Sequence, residues 1–335
     1  MITTIIPTYR RPKLLLRALR SAQQQNIPGH TILILDNASG DDTFDIIQKE
    51  AQRDPRIEII SHKTNIGALS NFIYGYNATK SQYFNFLSDD DLLLPNFYEK
   101  ALSALAKYPD AGMYAASTIH VDENGTINRV SLKDRKQLEY WQNGENISQF
   151  LKGDFSPWTS IIFRKSLTDL VGGVKEIYLI DEDLILRTII HFPCISSSHP
   201  AALYISNPDS FSSHANLLEI LEYREDLIQS IQKYQQISDV NKRYITDKLR
   251  YYNEKSFLLL FAKNIYLGRL ELAEKYLKAH ESWNGKKPIL RLALNLSRIK
   301  LFHLIFLLGI YIIKTMRKKD NFKKFKNYYK FLQCS

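Results

Sequence analysis

The chain has 335 residues, 44% apolar and 24% charged, enough for a sizeable core and for one large domain with a smaller one. It holds no apolar run of about 20 residues to span a bilayer, and its two cysteines, Cys194 and Cys334, make neither a disulfide framework nor a zinc site. The net charge of +10 is concentrated in the tail: 13 Lys and Arg stand against one acid from Lys286 onward, leaving 32 basic and 34 acidic residues before it. The basic balance therefore reports on the tail's partner, and a cytoplasmic setting is expected.

The first predicted element is a short apolar strand, Thr3 to Pro7, where a secretory signal would otherwise begin. Helical spacing follows over Pro12 to Gln25, with Leu15, Leu16, Ala18, Leu19 and Ala22 on one side. His30 to Leu35 is a strand ending at Asp36, and Asp42 to Gln52 is helical. Ile57 to His62 is a strand, Leu69 to Thr79 a helix and Tyr83 to Leu87 a strand. Strands alternating with helices of about 10–15 residues make βαβ units and a parallel sheet, the α/β class. Ligands bind such sheets beyond the carboxyl ends of the strands. There stand Thr8 to Arg11, Asp36-Asn37, Asn65 and the triplet Asp89-Asp90-Asp91.

Beyond residue 115 the alternation weakens. Thr118 to Val121 is strand-like, Glu123-Asn124-Gly125 is a turn, and Ser160 to Phe163 is a strand after the loop Ser156-Pro157-Trp158. Gly172-Gly173 is a turn before the acids Asp181 to Asp183. From Leu217 the pattern is helical, with a hairpin over Phe257 to Leu277 broken at Gly268. Expected divisions are 1–215, a helical extension over 216–285 and a basic amphipathic tail over 286–335.

Three clustered carboxylates after an apolar strand repel one another, which suits a hard cation held by oxygen ligands and shared with phosphates; a solvated turn or a helix cap is the alternative. Asp36, at a strand end, can accept hydrogen bonds from a ribose or a base, while Ser39 to Asp42, Asp41 and Asp42 above all, are expected to cap the following helix. Gly67, in Asn65-Ile66-Gly67, permits close backbone approach. The Gly-rich dinucleotide fingerprint, the P-loop and the nucleophile elbow are all missing from the sequence.

Four blocks in register carry a resemblance: Ile5-Ile6-Pro7-Thr8-Tyr9-Arg10-Arg11, Asp36-Asn37-Ala38-Ser39, Asn65-Ile66-Gly67 and Phe86 to Pro95. Together they closely resemble family 2 glycosyltransferases of the GT-A fold: a mostly parallel sheet flanked by helices, here with an α-helical C-terminal region. Trp158 to Lys165, Gly172-Gly173 and Asp181 to Arg187 extend the resemblance to about residue 215. Within the family the chain looks most like enzymes of bacterial O-antigen or capsule synthesis.

The resemblance implies inverting sugar transfer from a nucleotide-diphosphate-sugar, with Mg²⁺ or Mn²⁺ as cofactor. Pro7, Thr8, Tyr9, Asp36, Asn65, Gly67, Asn71 and Asp89 would bind the donor, and Asp90, Asp91 and His214 the metal. Asp181 would be the base and Asp183 its structural neighbour in the catalytic motif, with N-terminal helix charge as the alternative for these acids; Trp158 would face the acceptor sugar, with a plain core Trp as the equal alternative. The chain departs from the family pattern at Ser88, often Asp, at Ile180, usually Glu, and at Ser70, often basic.

Leu301 to Ile313 is an apolar run of about 13 residues, too short to span and flanked by Lys and Arg clusters. That suits an interfacial anchor at the inner face of the membrane, near a lipid-linked or glycan acceptor. No nucleic-acid partner is expected, because no nucleic-acid module accompanies the charge. The alternatives to the transferase are a sugar nucleotidyltransferase and a non-catalytic nucleotide-sugar-binding or scaffold protein.

Overall fold

A computed structural model describes residues 1–122, 124–151, 154–177, 180–206, 217–231 and 239–297. The chain divides into two compact units, Met1–Phe211 and Ser212–Ser335. His214, the apolar run Leu301 to Ile313 and its basic flanks lie outside the described residues.

In its described residues the first unit is built on a ten-stranded mixed sheet. Its first part is β1 (Ile2–Thr8), α1 (Pro12–Gln23), β2 (His30–Asp36), α2 (Thr43–Arg53), β3 (Ile57–Ser61), α3 (Ala68–Ala78) and β4 (Tyr83–Phe86). The strands lie in the order β3-β2-β1-β4, all parallel. The helices attach by their apolar sides: α1 buries Leu15, Ala18, Leu19 and Ala22. Each strand end agrees with the expected one to within a residue.

Pro7 sits inside a central strand without breaking it. The β1–β4 ladder ends at Ile5 opposite Phe86, while β1 continues beside β2 as far as Thr8 opposite Asp36. Parallel strands point alternate residues to alternate neighbours, so the missing Pro7 N–H falls on the β4 side, where pairing has already ceased. The parting of β4 from β1 opens the edge where Asp89 to Asp91 emerge.

The sheet continues from β4 as β9-β6-β10-β5. These are β5 (Leu92–Leu93), β6 (Met113–Val121), β9 (Ile161–Arg164) and β10 (Cys194–Ile205), with β7 (Ile127–Val130) beside β6 and β8 (Glu139–Trp141) beside β10. Strand β9 runs antiparallel to both β4 and β6, so β4, β6 and β10 share one direction. Helix α4 (Phe97–Lys107) lies between β5 and β6 in sequence, and α5 (Ile147–Leu151), α6 (Lys165–Leu170) and α7 (Ile180–His191) complete the unit. Strand β10 has no counterpart among the elements read from the sequence, and β6 begins five residues before the expected Thr118.

The second unit is helical in its described residues: α8 (Leu217–Ile231), α9 (Asp239–Tyr266), α10 (Leu270–Asn284) and α11 (Pro288–Ser297). Phe257, Phe261, Ile265, Ala273 and Leu277 share its core with Leu221. The break at Gly268 is a true helix end: its φ of +70° is left-handed, and the Arg269 amide turns back to Asn264 O at 2.8 Å. Helix α11 occupies the first part of the stretch expected to be tail.

Candidate active site

The parallel strands deliver their ends to one edge. Asp36, the last residue of β2, pairs in register with Thr8 of β1 and Ser61 of β3. It is buried, and its carboxylate is pinned: Oδ1 accepts the Ser39 amide at 3.1 Å and Oδ2 the Ser61 hydroxyl at 2.9 Å. Ala38 completes this turn at φ +59°. Asn37 donates to Asn65 Oδ1 at 3.0 Å and accepts the Ile66 amide at 2.9 Å, tying the Asn65-Ile66-Gly67 loop to the end of β2. Gly67 precedes α3 at φ +87°, and a Cβ there would meet nothing within 4 Å, so its glycine is needed for conformation alone.

Tyr9 is exposed, with the Arg10 guanidinium 5.1 Å from its ring centroid. Arg10 has φ +54°, a left-handed conformation held by its amide bond to Ser39 Oγ and its Nε bond to Ser39 O, both 2.9 Å. Asn71 is an internal strut. Its amide donates to Leu35 O at 3.1 Å, and its carbonyl oxygen lies 2.9 Å from His62 Nε2.

The acid triplet leaves β4 and folds back over the edge. Asp89 accepts the Thr8 hydroxyl at 2.8 Å and Arg11 Nη1 at 3.1 Å. The same nitrogen lies 3.2 Å from Asp90 Oδ2, so one guanidinium bridges two carboxylates. Burial first, then Asp90's charge, pushes Asp89 up to about 6 against the pull of Arg11. Asp91 is buried deeper and pushed up to about 8, by burial first and then by Asp90. Its Oδ2 accepts the Thr159 hydroxyl at 2.7 Å and its Oδ1 the Ile205 amide at 3.0 Å. That argues for Asp91 as an anchor joining the parallel strands to β10. None of the three acids caps α4, whose N-cap is Asn96 in the left-handed region at φ 64°. Asp42 at the N-cap of α2 makes no capping bond either; Asp41 accepts the Thr43 amide at 3.0 Å instead.

Helix α7 presents the remaining acids. Asp183 is buried against Arg187, whose Nε lies 2.9 Å from both carboxylate oxygens. Arg187 also donates to Val171 O and, at 2.7 Å, to Gly173 O. The pair therefore fastens α7 to the Gly172-Gly173 turn, where both residues have positive φ and a Cβ on Gly173 would come 2.7 Å from the Tyr76 ring. Asp181, two residues earlier and half-buried, is in no ion pair among the described residues. Burial, with Glu182's charge adding, pushes it up to about 6. Trp158 is 7% exposed, its ring 4.4 Å from Phe86 and 4.6 Å from Phe72 between centroids, which argues for packing rather than a sugar platform.

The sequence marks no role for Arg11, Asn37, Ser61 or Thr159, and Ser39, expected among the caps of α2, instead bonds Arg10 and Asp36. Arg11 and Ser39 stand inside the quoted motifs, but their partners are set by the fold. For a metal, the donors at this edge are carboxylate oxygens, the set a hard cation takes, and Asp89 and Asp90 already share a cation's charge through Arg11. Among the described residues no group of three or more His, Cys, Asp and Glu could hold a metal by itself. Two carboxylates nevertheless fit Mg²⁺ or Mn²⁺ when substrate phosphates complete the shell.

A sheet that releases Asp36, Asn65 and Asp89 to Asp91 along one edge and continues into antiparallel strands has the GT-A architecture. Residues 3–171, half of the chain, match the profile described as Glycosyl transferase family 2, and the chain belongs to that family. It is 30% identical over 181 residues to the GalNAc(5)-diNAcBac-PP-undecaprenol beta-1,3-glucosyltransferase of Campylobacter jejuni, covering 53% of this chain and 56% of that protein. It is 29% identical over 128 residues to the chondroitin synthase of Escherichia coli, covering 38% and 18%. The chain thus matches about half, or less, of these relatives' own length. In fold it is similar to S. aureus TarS in complex with UDP-GlcNAc, at TM-score 0.70 and 15% identity over 91% of this chain and 89% of that one. The mannosyltransferase from Pyrobaculum calidifontis in complex with GDP-Man and Mn2+ is similar at TM-score 0.52 and 14% identity over 95% and 88%.

Proposed function

We propose that the chain is an inverting glycosyltransferase that takes a sugar from a nucleotide-diphosphate-sugar to a glycan or lipid-linked acceptor in bacterial surface-glycan synthesis. The observation that carries this reading is the pair Asp89 and Asp90, buried at the same edge as Asp36 and sharing one cation's charge. Folding alone does not call for such a pair.

Asp36 keeps lone pairs beyond its two bonds and would accept from the nucleobase. The exposed Tyr9 ring and the Asn65-Ile66-Gly67 loop flank that position, and Asp89, steadied by Thr8, takes the ribose side. Asp90, with Asp89 beside it, would hold Mg²⁺ or Mn²⁺. When bound, the ion neutralises the departing diphosphate as a Lewis acid. Asp181 is the general base. It accepts the acceptor hydroxyl's proton while that oxygen bonds to the anomeric carbon and the bond to phosphate breaks, its electron pair leaving with the diphosphate. Attack on the face opposite the leaving group inverts the centre. A folded pKa of about 6 leaves Asp181 ionised near neutrality yet basic enough to take the proton.

The undecaprenol-linked acceptor in the C. jejuni relative's name supports a lipid-linked acceptor here. Among the described residues no helix is long and apolar enough to cross a membrane. Docking at the inner face would fall to Leu301 to Ile313 and its basic flanks.

The test is a thermal-shift panel of UDP- and GDP-sugars with and without Mn²⁺, then transfer to a lipid-linked acceptor with NMR of the new anomeric centre. Metal-dependent stabilisation by one donor and an inverted product are expected. A panel with no metal-dependent response, or a retained anomer, would overturn the reading.

A further inference from the structure

Arg11 occupies the position that the proposed chemistry needs for another cation. Its Nη1 stands between Asp89 Oδ1 at 3.1 Å and Asp90 Oδ2 at 3.2 Å. The side chain is built into place rather than draped over the surface. Arg10 before it is left-handed and tied to Ser39, and Pro12 after it opens α1. The Arg11 carbonyl accepts the Leu15 amide at 2.9 Å as the first bond of that helix. The backbone therefore has little freedom, and the guanidinium is about one-quarter exposed beside two mostly buried carboxylates.

Two carboxylates beside a third buried acid, Asp91, would repel strongly in a site emptied of cations. Arg11 relieves that repulsion and thereby competes with any divalent ion for Asp90. An incoming nucleoside diphosphate changes the balance, because it brings negative charge that a guanidinium pairs with well. The chain also has Ser70, which forms a 3.2 Å bond to Glu176, just before Asn71 in α3, so no cation is offered to a diphosphate from that position.

We propose that Arg11 is a positioning residue that gates the acid pair: it holds Asp89 and Asp90 in the free protein and passes to the donor's diphosphate when a divalent ion takes Asp90. This rests on the metal-dependent reading above. Its consequence is thermodynamic coupling. Metal and nucleotide each bind weakly alone, because each must disturb the Arg11 bridge, and bind well together. Linkage makes the effect reciprocal, so it is measurable from the metal side without any turnover.

The experiment titrates the full-length protein with Mn²⁺, following free Mn²⁺ by EPR, alone and with saturating UDP or GDP. Wild type is expected to bind Mn²⁺ at least about tenfold more weakly alone than with its nucleotide. Arg11→Met is expected to bind Mn²⁺ alone about tenfold more tightly than wild type, with the nucleotide-linked gain reduced by a similar factor. Arg11→Lys, which keeps the charge, should stay near wild type. If melting curves show that the Met variant is unfolded, Arg11→Gln replaces it with the same expectation. Equal Mn²⁺ affinity in wild type and the neutral variant, with nucleotide-dependent binding intact in both, overturns the gate and leaves the metal-dependent transferase standing. Absence of Mn²⁺ binding to wild type under every condition overturns both.

Discussion

The two halves of the sheet use acids differently. In the parallel half, the site carboxylates are also structural: Asp36 fastens a turn to the end of β2, and Asp89 ties β4's exit to β1 and α1. In the mixed half, one turn of α7 divides the work. Asp183 is locked by Arg187, and Asp181, two residues away, is in no ion pair among the described residues. Asp183's carboxylate oxygens are engaged by the guanidinium, whereas burial pushes Asp181 up to about 6. On the proposed roles, the donor-binding acids share duty with the fold, while the proposed base does not.

Asp181→Asn is the sharpest way to break that contrast. It should lower kcat by about 10³-fold, within the range a general base contributes, and leave the melting temperature and donor KM nearly unchanged. In the wild type the base form is lost as pH falls through about 6, so kcat should fall on that acid limb and the Asn variant should lack it. Full activity in the variant would remove Asp181 from the mechanism.

Asp183→Asn should do the opposite. It leaves the Arg187 guanidinium buried without its counter-charge, which costs about 3–5 kcal/mol in urea unfolding. Folded protein that survives should keep an acid limb near pH 6. A variant of wild-type stability with no activity would reverse the two residues' roles.

Asp90→Asn tests the parallel half, where the two duties are shared. It removes half of the Arg11 bridge and an oxygen of the proposed metal ligand, but it also relieves repulsion within the triplet. Stability should therefore change by less than about 1 kcal/mol. Transfer should drop by about 10²-fold, the scale of losing one preorganised electrostatic contact, and Mn²⁺ should no longer raise it. Unchanged Mn²⁺ activation would move the metal away from this edge.

The same contrast explains what could be read from the sequence. Strands β1, β2 and β4 were legible because they are short, almost wholly buried apolar runs, and β3, at the sheet's edge with Glu58 and Ser61 exposed, because its isoleucines keep the apolar pattern. Asp36, Asn65 and the acid triplet follow those runs directly, so their common edge was legible too. Strand β10 was not, because Ser196, Ser197 and Pro200 interrupt its pattern, and partners distant in sequence satisfy the hydroxyls. Trp141 Nε1 donates to Ser196 Oγ at 2.8 Å, and Ser197 Oγ donates to Gln137 O at 2.5 Å. The anchoring of Asp91 by an amide 114 residues away leaves no local trace. Trp158 illustrates the limit from the other side: an aromatic after a proline in a loop reads equally as a sugar platform or a core residue, and only the positions of Phe72 and Phe86 decide for the core.

The smallest effect concerns Asp41 and Asp42, two neighbouring acids whose composition alone makes them equivalent caps of α2. They are not equivalent in geometry. Asp41 accepts the Thr43 amide at 3.0 Å, while Asp42 occupies the N-cap position in helical dihedrals and makes no side-chain capping bond. A residue already helical at the N-cap does not have the extended backbone from which a capping side chain reaches an orphan amide. Asp41→Ala should therefore cost about 0.5 kcal/mol, the low end for a lost cap because the group is exposed, and Asp42→Ala should cost less still. Neither should alter transfer, since both lie past the turn that Asp36 and Ser39 hold. Equal losses in the two variants would show that the first turn of α2 reads only the field of nearby carboxylates, not a specific hydrogen bond. An activity loss in Asp41→Ala without a stability loss would place an acid with no fold duty in the parallel half as well, and the contrast between the two halves would fail.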